Sequence, residues 1–404
     1  MKRLLLFNCS NDMALSLDCR QYFPPKQIMR MEDDLSVLPI WWADDGDAVI
    51  VTDVNEAYAF VDSYREFLSS NGICASSGIL PDVVFTDWNE GYHKLSQRTG
   101  CEFVPSPWGW SRAVAERFRR FGVPGELMPA DSALSLWRNC SSREFAVGYI
   151  REFIGEAEKD EWGNGLVGRR MKFCKSAKEV CDTDWDSAKQ LIFKPLWSSS
   201  GRGIMVSDVS LGNKTVERLS SLSRMHGGFL ADVLYDKMLD FAMEFEIRSD
   251  GTAEYTGLSV FDAAADGRYG GNFVEPDECL RSRVSGHIGV QTFDRLLKMH
   301  ARLLSERLGG NYAGPVGIDM IVAKKEGRTV VHPCIEINLR MNMGILSNHL
   351  FRRFSAFSNA FVREDGTNGS VVNLYSPISI PLVPTRMSGF SARLTAGRFM
   401  LSSS

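Results

Sequence analysis

The sequence predicts a mixed α/β and α+β protein with more than one domain. Three observations carry this. The 404 residues exceed the ~100–200 typical of one domain. The first third alternates short apolar runs with helical patterns, as a parallel sheet covered by helices requires. The later part pairs apolar runs across tight polar turns, which reads as antiparallel hairpins.

Composition narrows the class. Hydrophobic residues make up 44% and charged residues 24% of the chain, ordinary for a soluble globular protein. A net charge of −4 offers no basic footprint for nucleic acid. The nine cysteines include no Cys-x-x-Cys pair. A chain of this length builds a core without disulfides, so free thiols in a reducing cytoplasm are expected. The six histidines form no zinc pattern. The run Leu4-Leu5-Leu6-Phe7 is shorter than the ~7–15 residues of an export core. Asn8, before Cys9, is also not a small residue. This start reads as a first strand. No run of ~18 apolar residues occurs, so no transmembrane helix is expected.

The elements follow in order. Leu4–Phe7, Ala48–Thr52 and Val83–Phe85 read as strands, and Ser63–Leu68 and Ser111–Arg120 as helices. The loop Asn8-Cys9-Ser10-Asn11-Asp12 lies where open α/β sheets take ligands, beyond a strand's carboxyl end. It lacks the glycines of a dinucleotide fingerprint, and Asn11 and Asp12 read as a cap for the helix at Met13-Ala14-Leu15. Pro124, Gly125 and Pro129 mark a boundary. Ser141-Ser142-Arg143-Glu144 is a capping box opening a helix to about Ile154. Leu191–Pro195 is a strand bearing Lys194. The small-residue loop Ser198–Gly203 leads into a further strand, Ile204–Val206. Strand–loop–strand excludes a Walker A loop, which opens a helix and carries Gly-Lys-Ser/Thr. Phe229–Tyr235 is an apolar strand with Asp232 near its end. Asp240–Ile247 and Ala253–Val260 form a hairpin around Ser249-Asp250-Gly251. Ala263–Gly271 is a small-residue loop. Gln291–Leu308 has apolar residues at helical spacing and stops at Gly309-Gly310. Val371–Pro384 reads as one more strand, and the last twenty residues are weakly patterned.

The most informative stretch is Gly314–Val322 followed by Val330–Arg340. Both read as apolar strands. Strand side chains alternate faces, so Glu336, Asn338 and Arg340 share one side. Asp319 is the acid of the first strand. Two carboxylates and an amide oxygen suit a hard cation held together with substrate phosphates, and an arginine fork suits a phosphate. The alternative is a solvated sheet face.

The order of a strand lysine, a Ser/Gly loop, an acid-bearing strand, then Asp and Glu-x-Asn-x-Arg on paired strands resembles the ATP-grasp superfamily over roughly residues 136–360. The resemblance implies an N-terminal pre-ATP-grasp-like α/β domain at 1–135, a small lobe at 136–235 and a large lobe at 236–404. It implies ATP as nucleotide and magnesium, with manganese as a substitute, held by Asp319, Glu336 and Asn338. Lys194 takes the place of the lysine on the nucleotide phosphates, the alternative being a strand-edge lysine. Ser199, Ser200, Gly201 and Gly203 belong to the loop covering the phosphates, where glycine lets backbone N–H groups approach an anion. Asp232, Val233 and Tyr235 fall in the segment that reads adenine through its backbone. Asp232 departs from the family's usual glutamate. Asp240 takes the place of the ribose acid, with a turn cap as alternative and Glu244 as second choice. Arg143 stands at a helix start where members place a base reaching the phosphates, and Lys172 competes for that role. Arg340 stands beside the transferred phosphate. Arg268 resembles a basic residue of the substrate loop, the alternative being a solvated arginine. Asn342 and Gly344 follow in a loop that lines the acceptor pocket in the family.

The implied activity is an ATP-dependent, ADP-forming carboxylate–amine (or thiol) ligase working through an acyl phosphate. Such chemistry is positioning and charge neutralisation and needs no covalent nucleophile. Cys334, between the acids in sequence, reads as core packing. The expected partners are a small carboxylate, such as an amino acid, and an amine. Neither nucleic acid nor membrane is expected, and a homodimer is common in the family. Two other readings keep the fold: a small-molecule kinase, and a nucleotide-binding regulator without turnover.

Overall fold

The computed structural model describes residues 1–70, 78–198, 201–263, 269–358, 380–384, 389–395 and 397–403. The elements are β1 (Lys2–Leu6), α1 (Asn11–Leu17), α2 (Lys26–Asp34), β2 (Ala48–Ile50), α3 (Val54–Ser70), β3 (Val84–Thr86), α4 (Tyr92–Thr99), β4 (Phe103–Pro107), α5 (Arg112–Phe121), α6 (Asp131–Cys140), α7 (Arg143–Lys159), β5 (Lys172–Cys174), α8 (Ala177–Cys181), β6 (Gln190–Pro195), β7 (Met205–Asp208), α9 (Asn213–His226), β8 (Phe229–Val233), β9 (Asp236–Ile247), β10 (Ala253–Ala263), β11 (Tyr269–Phe273), α10 (Asp277–Ile288), α11 (Val290–Leu308), β12 (Gly314–Lys325), β13 (Arg328–Asn338), α12 (Met343–Ser358), β14 (Ile380–Pro381), β15 (Phe390–Thr395) and β16 (Arg398–Ser403). They form two compact units. One is Met1–Asp131 with Gly271–Pro276 and Ile345–Ser404. The other is Ser132–Gly270 with Asp277–Gly344. Among the described residues no helix is long and apolar enough to cross a membrane.

In the first unit the strands run β3-β2-β1-β4, all parallel, as the alternating pattern predicts. Leu4, Leu6, Ile50 and Phe103 pack against Phe118 and Phe121 of α5. Ser111 caps α5 by accepting from the Val114 N–H, 3.4 Å. The sequence reading missed β4, whose Pro105 and Pro107 argue against a strand. It lies at the sheet edge, where prolines leave no ladder bond unmade. Asn11 and Asp12 are not the cap of α1. They are its first two residues, with Ser10 at the cap position. The last residues also hold more structure than their pattern suggests: β15 and β16 pair as an antiparallel hairpin. Of the strand expected over 371–384, β14 is described, and 371–379 lie outside the described residues.

In the second unit β5-β8-β6-β7 form one sheet and β13-β12-β9-β10 run in order in another. The β6–β7 and β9–β10 pairs are the expected hairpins. Leu191 and Phe193 of β6 pack with Phe229, Leu219 and Leu222, which fixes the face that β6 buries. Helices α10 and α11 lie against β9 and β10. The helix expected from the box at 141–144 begins at Arg143 and runs to Lys159. Its cap is Ser142 rather than Ser141. The Ser142 hydroxyl accepts from the Phe145 N–H, 3.2 Å, while Ser141 donates to the Arg138 carbonyl, 3.0 Å. Pro333 sits inside β13 without disrupting it. That strand is the sheet edge, and its register with β12 shifts at this point, from Asp319↔Glu336 to Ile321↔His332. Edge and bulge are the two places a strand tolerates proline.

Candidate active site

The two sheets of the second unit each present one polar face. On β6, burial of Leu191 and Phe193 turns Ile192 and Lys194 to the opposite side. Asp232 of β8 pairs with Ile192 and shares that side. Burial lowers the Lys194 pKa, and the nearby Arg143 adds to this. The carboxylates of Glu336, Asp232 and Asp319 act the other way. Lys194 therefore lies within electrostatic reach of both acids singled out on β12 and β13.

Those acids are cross-strand partners. Asp319 pairs with Glu336 on one side and with Ala242 of β9 on the other. Gly317 pairs with Asn338 and Glu244, and Ile321 with Asp240. With period-two alternation, Asp240, Glu244, Asp319, Glu336 and Asn338 line one face. The alternate residues Met243, Phe245, Ile318 and Met320 are fully buried. Burial raises the Asp319 pKa well above the usual carboxylate range. Glu336 and Glu244 raise it further, while Arg340 and a hydrogen bond from Asn338 oppose this. Asp240 is also raised, chiefly by burial, although Lys237 pairs with it at 2.6 Å.

Arg143 bridges the acid strand and the loop after β6. It is 3% exposed. One terminal nitrogen donates to the Pro195 carbonyl (2.6 Å) and the Ser198 hydroxyl (2.9 Å). The other donates to the Ser198 carbonyl (3.1 Å) and to Glu336 Oε2 (2.8 Å). Both terminal nitrogens of the base expected near the phosphates are thus engaged with loop and acid. Its competitor Lys172 donates to the Thr183 hydroxyl, 2.9 Å. In the same loop Gly201 and Gly203 have φ of 72° and 74°, a region that favours glycine. Ser199 and Ser200 lie outside the described residues, as does Arg268.

A buried pair joins β8 to β13. His332 Nε2 lies 2.9 Å from Asp232 Oδ2, and Asp232 Oδ1 accepts from the Val233 N–H, 2.8 Å. A carboxylate only accepts, so Nε2 carries a proton and donates to it. Nδ1 is buried without a partner among the described residues. The Tyr235 ring meets His332 edge-on at 5.9 Å, and its hydroxyl accepts from the Gly168 N–H, 3.2 Å. Gly168 has φ of 97°, and a Cβ there would fall 2.6 Å from His332 Nε2. The Asp232 side chain is thereby committed to the protein.

Glu244 is fully buried. Oε1 accepts from Ser259 (2.9 Å) and Oε2 from Asn342 (2.8 Å). Burial pushes its pKa up to about 7, against those two hydrogen bonds and Arg340. One Arg340 nitrogen donates to the Met341 carbonyl, 3.1 Å. Cys334 is fully buried, as a core thiol should be, and its pKa is raised by that burial.

Lys194, Asp319, Glu336, Asn338, Arg340 and Arg143 thus fall into one neighbourhood of the second unit. Neither the buried His332 nor the buried, doubly hydrogen-bonded setting of Glu244 is marked in the sequence. Glu244 shows there only as an acid alternating with apolar residues in Phe241–Ile247. For His332 there is no signal.

By sequence the chain matches no protein-family model and no curated protein. Among solved structures it is similar to a biotin carboxylase–β,γ-ATP complex from Campylobacter jejuni, with 10% identity, 100% of this chain and 88% of that chain covered and a TM-score of 0.49. It is similar to an L-amino acid ligase from Bacillus licheniformis, with 12% identity, 100% and 93% covered and a TM-score of 0.41. It is similar to D-alanyl-alanine synthetase A from Vibrio cholerae, with 8% identity, 85% and 89% covered and a TM-score of 0.41. Likenesses this remote say nothing of the reaction, which has to be read from the side chains. In the order of its elements and the residues they carry, the chain resembles the ATP-grasp superfamily.

Proposed function

We propose that the protein is an ATP-dependent, ADP-forming carboxylate–amine (or thiol) ligase acting on an amino acid or small carboxylate. The observation that carries this is the Asp319↔Glu336 register, which sets two carboxylates and the Asn338 amide on one sheet face within electrostatic reach of Lys194. The donor set fits a hard cation. Among the described residues no three His, Cys, Asp or Glu side chains make a metal cage. Two carboxylates plus an amide, completed by substrate phosphates, is the incomplete set that magnesium accepts. Burial lifts Asp319 and the charge of Glu336 adds to it, and a cation there offsets both. Bound there, magnesium or manganese would neutralise phosphate charge and orient it for in-line transfer.

The chain's own residues supply the rest. The Lys194 ammonium contacts the nucleotide phosphates, and the Arg340 guanidinium faces the group in transfer, where fixed positive charge counts most. Gly201 and Gly203 let backbone N–H groups approach an anion. Val233 and Tyr235 offer backbone to the base, and Asp240 an acceptor to the ribose. The carboxylate oxygen of the substrate attacks the terminal phosphorus and ADP leaves. An amine or thiol then displaces phosphate from the acyl carbon. Arg143 holds Glu336 and the loop in register during both steps. In this reading residues 136–235 form the small lobe, the acid strands belong to the large one, and the N-terminal α/β domain accompanies them. A reducing cytoplasm is the protein's proposed location, and a homodimer its proposed state.

The test is ADP and phosphate release from Mg-ATP with a panel of amino acids and small carboxylates, hydroxylamine included. A hydroxamate that depends on one carboxylate, and is lost in Glu336→Ala, supports the ligase. ADP with a phosphorylated alcohol and no free phosphate replaces it with the kinase. ATP binding without turnover on any acceptor replaces it with the regulator.

A further inference from the structure

Most acids of the polar sheet face can meet a ligand, but Glu244 cannot, because it is fully buried. A buried carboxylate is costly unless each oxygen is satisfied. Here one oxygen takes the Ser259 hydroxyl of β10, and the other takes the Asn342 amide from the segment leaving β13. Two glycines press on the same carboxylate. A Cβ at Gly317 would overlap Glu244 and the Asn342 amide, and one at Gly344 would overlap Glu244 and Ser259. Asn342 is itself 9% exposed and Ser259 1%. The chain from Arg340 to Gly344 therefore wraps around a buried carboxyl group. Arg340, at the start of that wrap, is attracted electrostatically by both Glu244 and Asp319.

We infer that Glu244 is a positioning residue: it anchors the Arg340–Gly344 segment to β9 through Asn342 and so holds the Arg340 guanidinium beside the Asp319–Glu336 pair. What Arg340 does there rests on the ligase reading. The anchoring does not. Glu244 touches no reacting atom, because Asn342, Ser259 and the two glycines enclose it. Its influence passes through the segment it holds.

The experiment exchanges the two partners. In Glu244→Gln the amide can turn its oxygen to Asn342 and its NH2 to the Ser259 hydroxyl, so this variant keeps the contact and serves as the neutral control. In Asn342→Asp two carboxylates face each other. The double variant Glu244→Gln/Asn342→Asp restores one donor and one acceptor with the polarity reversed. Amide hydrogen exchange of a peptide covering 339–346 reads the anchoring without any substrate. Asn342→Asp should exchange there about tenfold faster than the native protein, Glu244→Gln should stay within about threefold of it, and the double variant should also return to within about threefold. Where the wild type turns over, kcat should fall in Asn342→Asp with KM for ATP unchanged, and recover in the double. Asn342→Ala serves if the exchanged pair does not fold, since it removes the donor without burying a new charge. It should also raise exchange about tenfold. Native-like exchange in folded Asn342→Asp or Asn342→Ala would overturn the inference. So would a folded double variant that exchanges as fast as Asn342→Asp. A wild type without ATP turnover would overturn the ligase reading and leave the exchange result to decide this one.

Discussion

Stability should fall with rising pH in a way that Glu244→Gln removes. The Glu244 carboxyl is fully buried and its pKa is pushed from 4.5 to about 7. In the unfolded chain it returns to the ordinary value. A raised carboxyl pKa means that the folded state holds the proton more tightly. Its stabilising contribution is complete below pH 4.5 and is lost as pH rises through about 7. Each pH unit across that interval is worth about 1.4 kcal/mol, so the native protein should lose about 3 kcal/mol from this group. Full burial means that solvent screening does not reduce the figure. The assay is urea unfolding of wild type and Glu244→Gln, with chelator present, from pH 4 to 8. Asp319 and Asp240 are raised as well, so the wild-type slope alone is a sum. The difference between the two proteins isolates Glu244. Wild type should lose about 3 kcal/mol relative to the variant between pH 4.5 and 7.5. Parallel curves across that window would refute the reasoning.

Further outcomes follow from the same geometry. Lys194→Met should lower kcat/KM by about 10²–10³-fold, as removal of a fixed transition-state charge does. Thermal stability should hold or rise, because burial already disfavours the ammonium. His332→Leu leaves Asp232 buried with only the Val233 N–H, and should cost about 3 kcal/mol in urea unfolding. Gly168→Ala, at φ of 97° and against His332, should cost about 1–3 kcal/mol in the same measurement.

What could be read from the sequence follows from what each signal depends on. The acid strands β12 and β13 were legible because alternation within a strand is local: an acid two residues from an amide must share its face. The hairpin of β6 and β7 and the long helix α11 were legible for the same reason. Strand β4 was hidden by Pro105 and Pro107, whose tolerance depends on an edge position that only the assembled sheet defines. The β15–β16 hairpin was hidden because Arg393 and Arg398 interrupt short apolar stretches that gain stability by pairing. Side-chain partnerships were the least legible. Asp232 and His332 are 100 residues apart, and Arg143 and Glu336 are 193 apart. Each residue taken alone reads as a surface charge or a phosphate contact. Only the packing of one sheet face toward another shows that Arg143 grips an acid and that Asp232 is spent on a histidine.

The most direct test of the central claim is titration of ATP into the protein with and without magnesium, in wild type and Asp319→Asn. If Asp319, Glu336 and Asn338 hold a cation that completes the phosphate site, wild type binds ATP at least tenfold more tightly with magnesium. Asp319→Asn should lose that gain while remaining folded. Equal affinity with and without magnesium, or no nucleotide binding by the wild type, would contradict it.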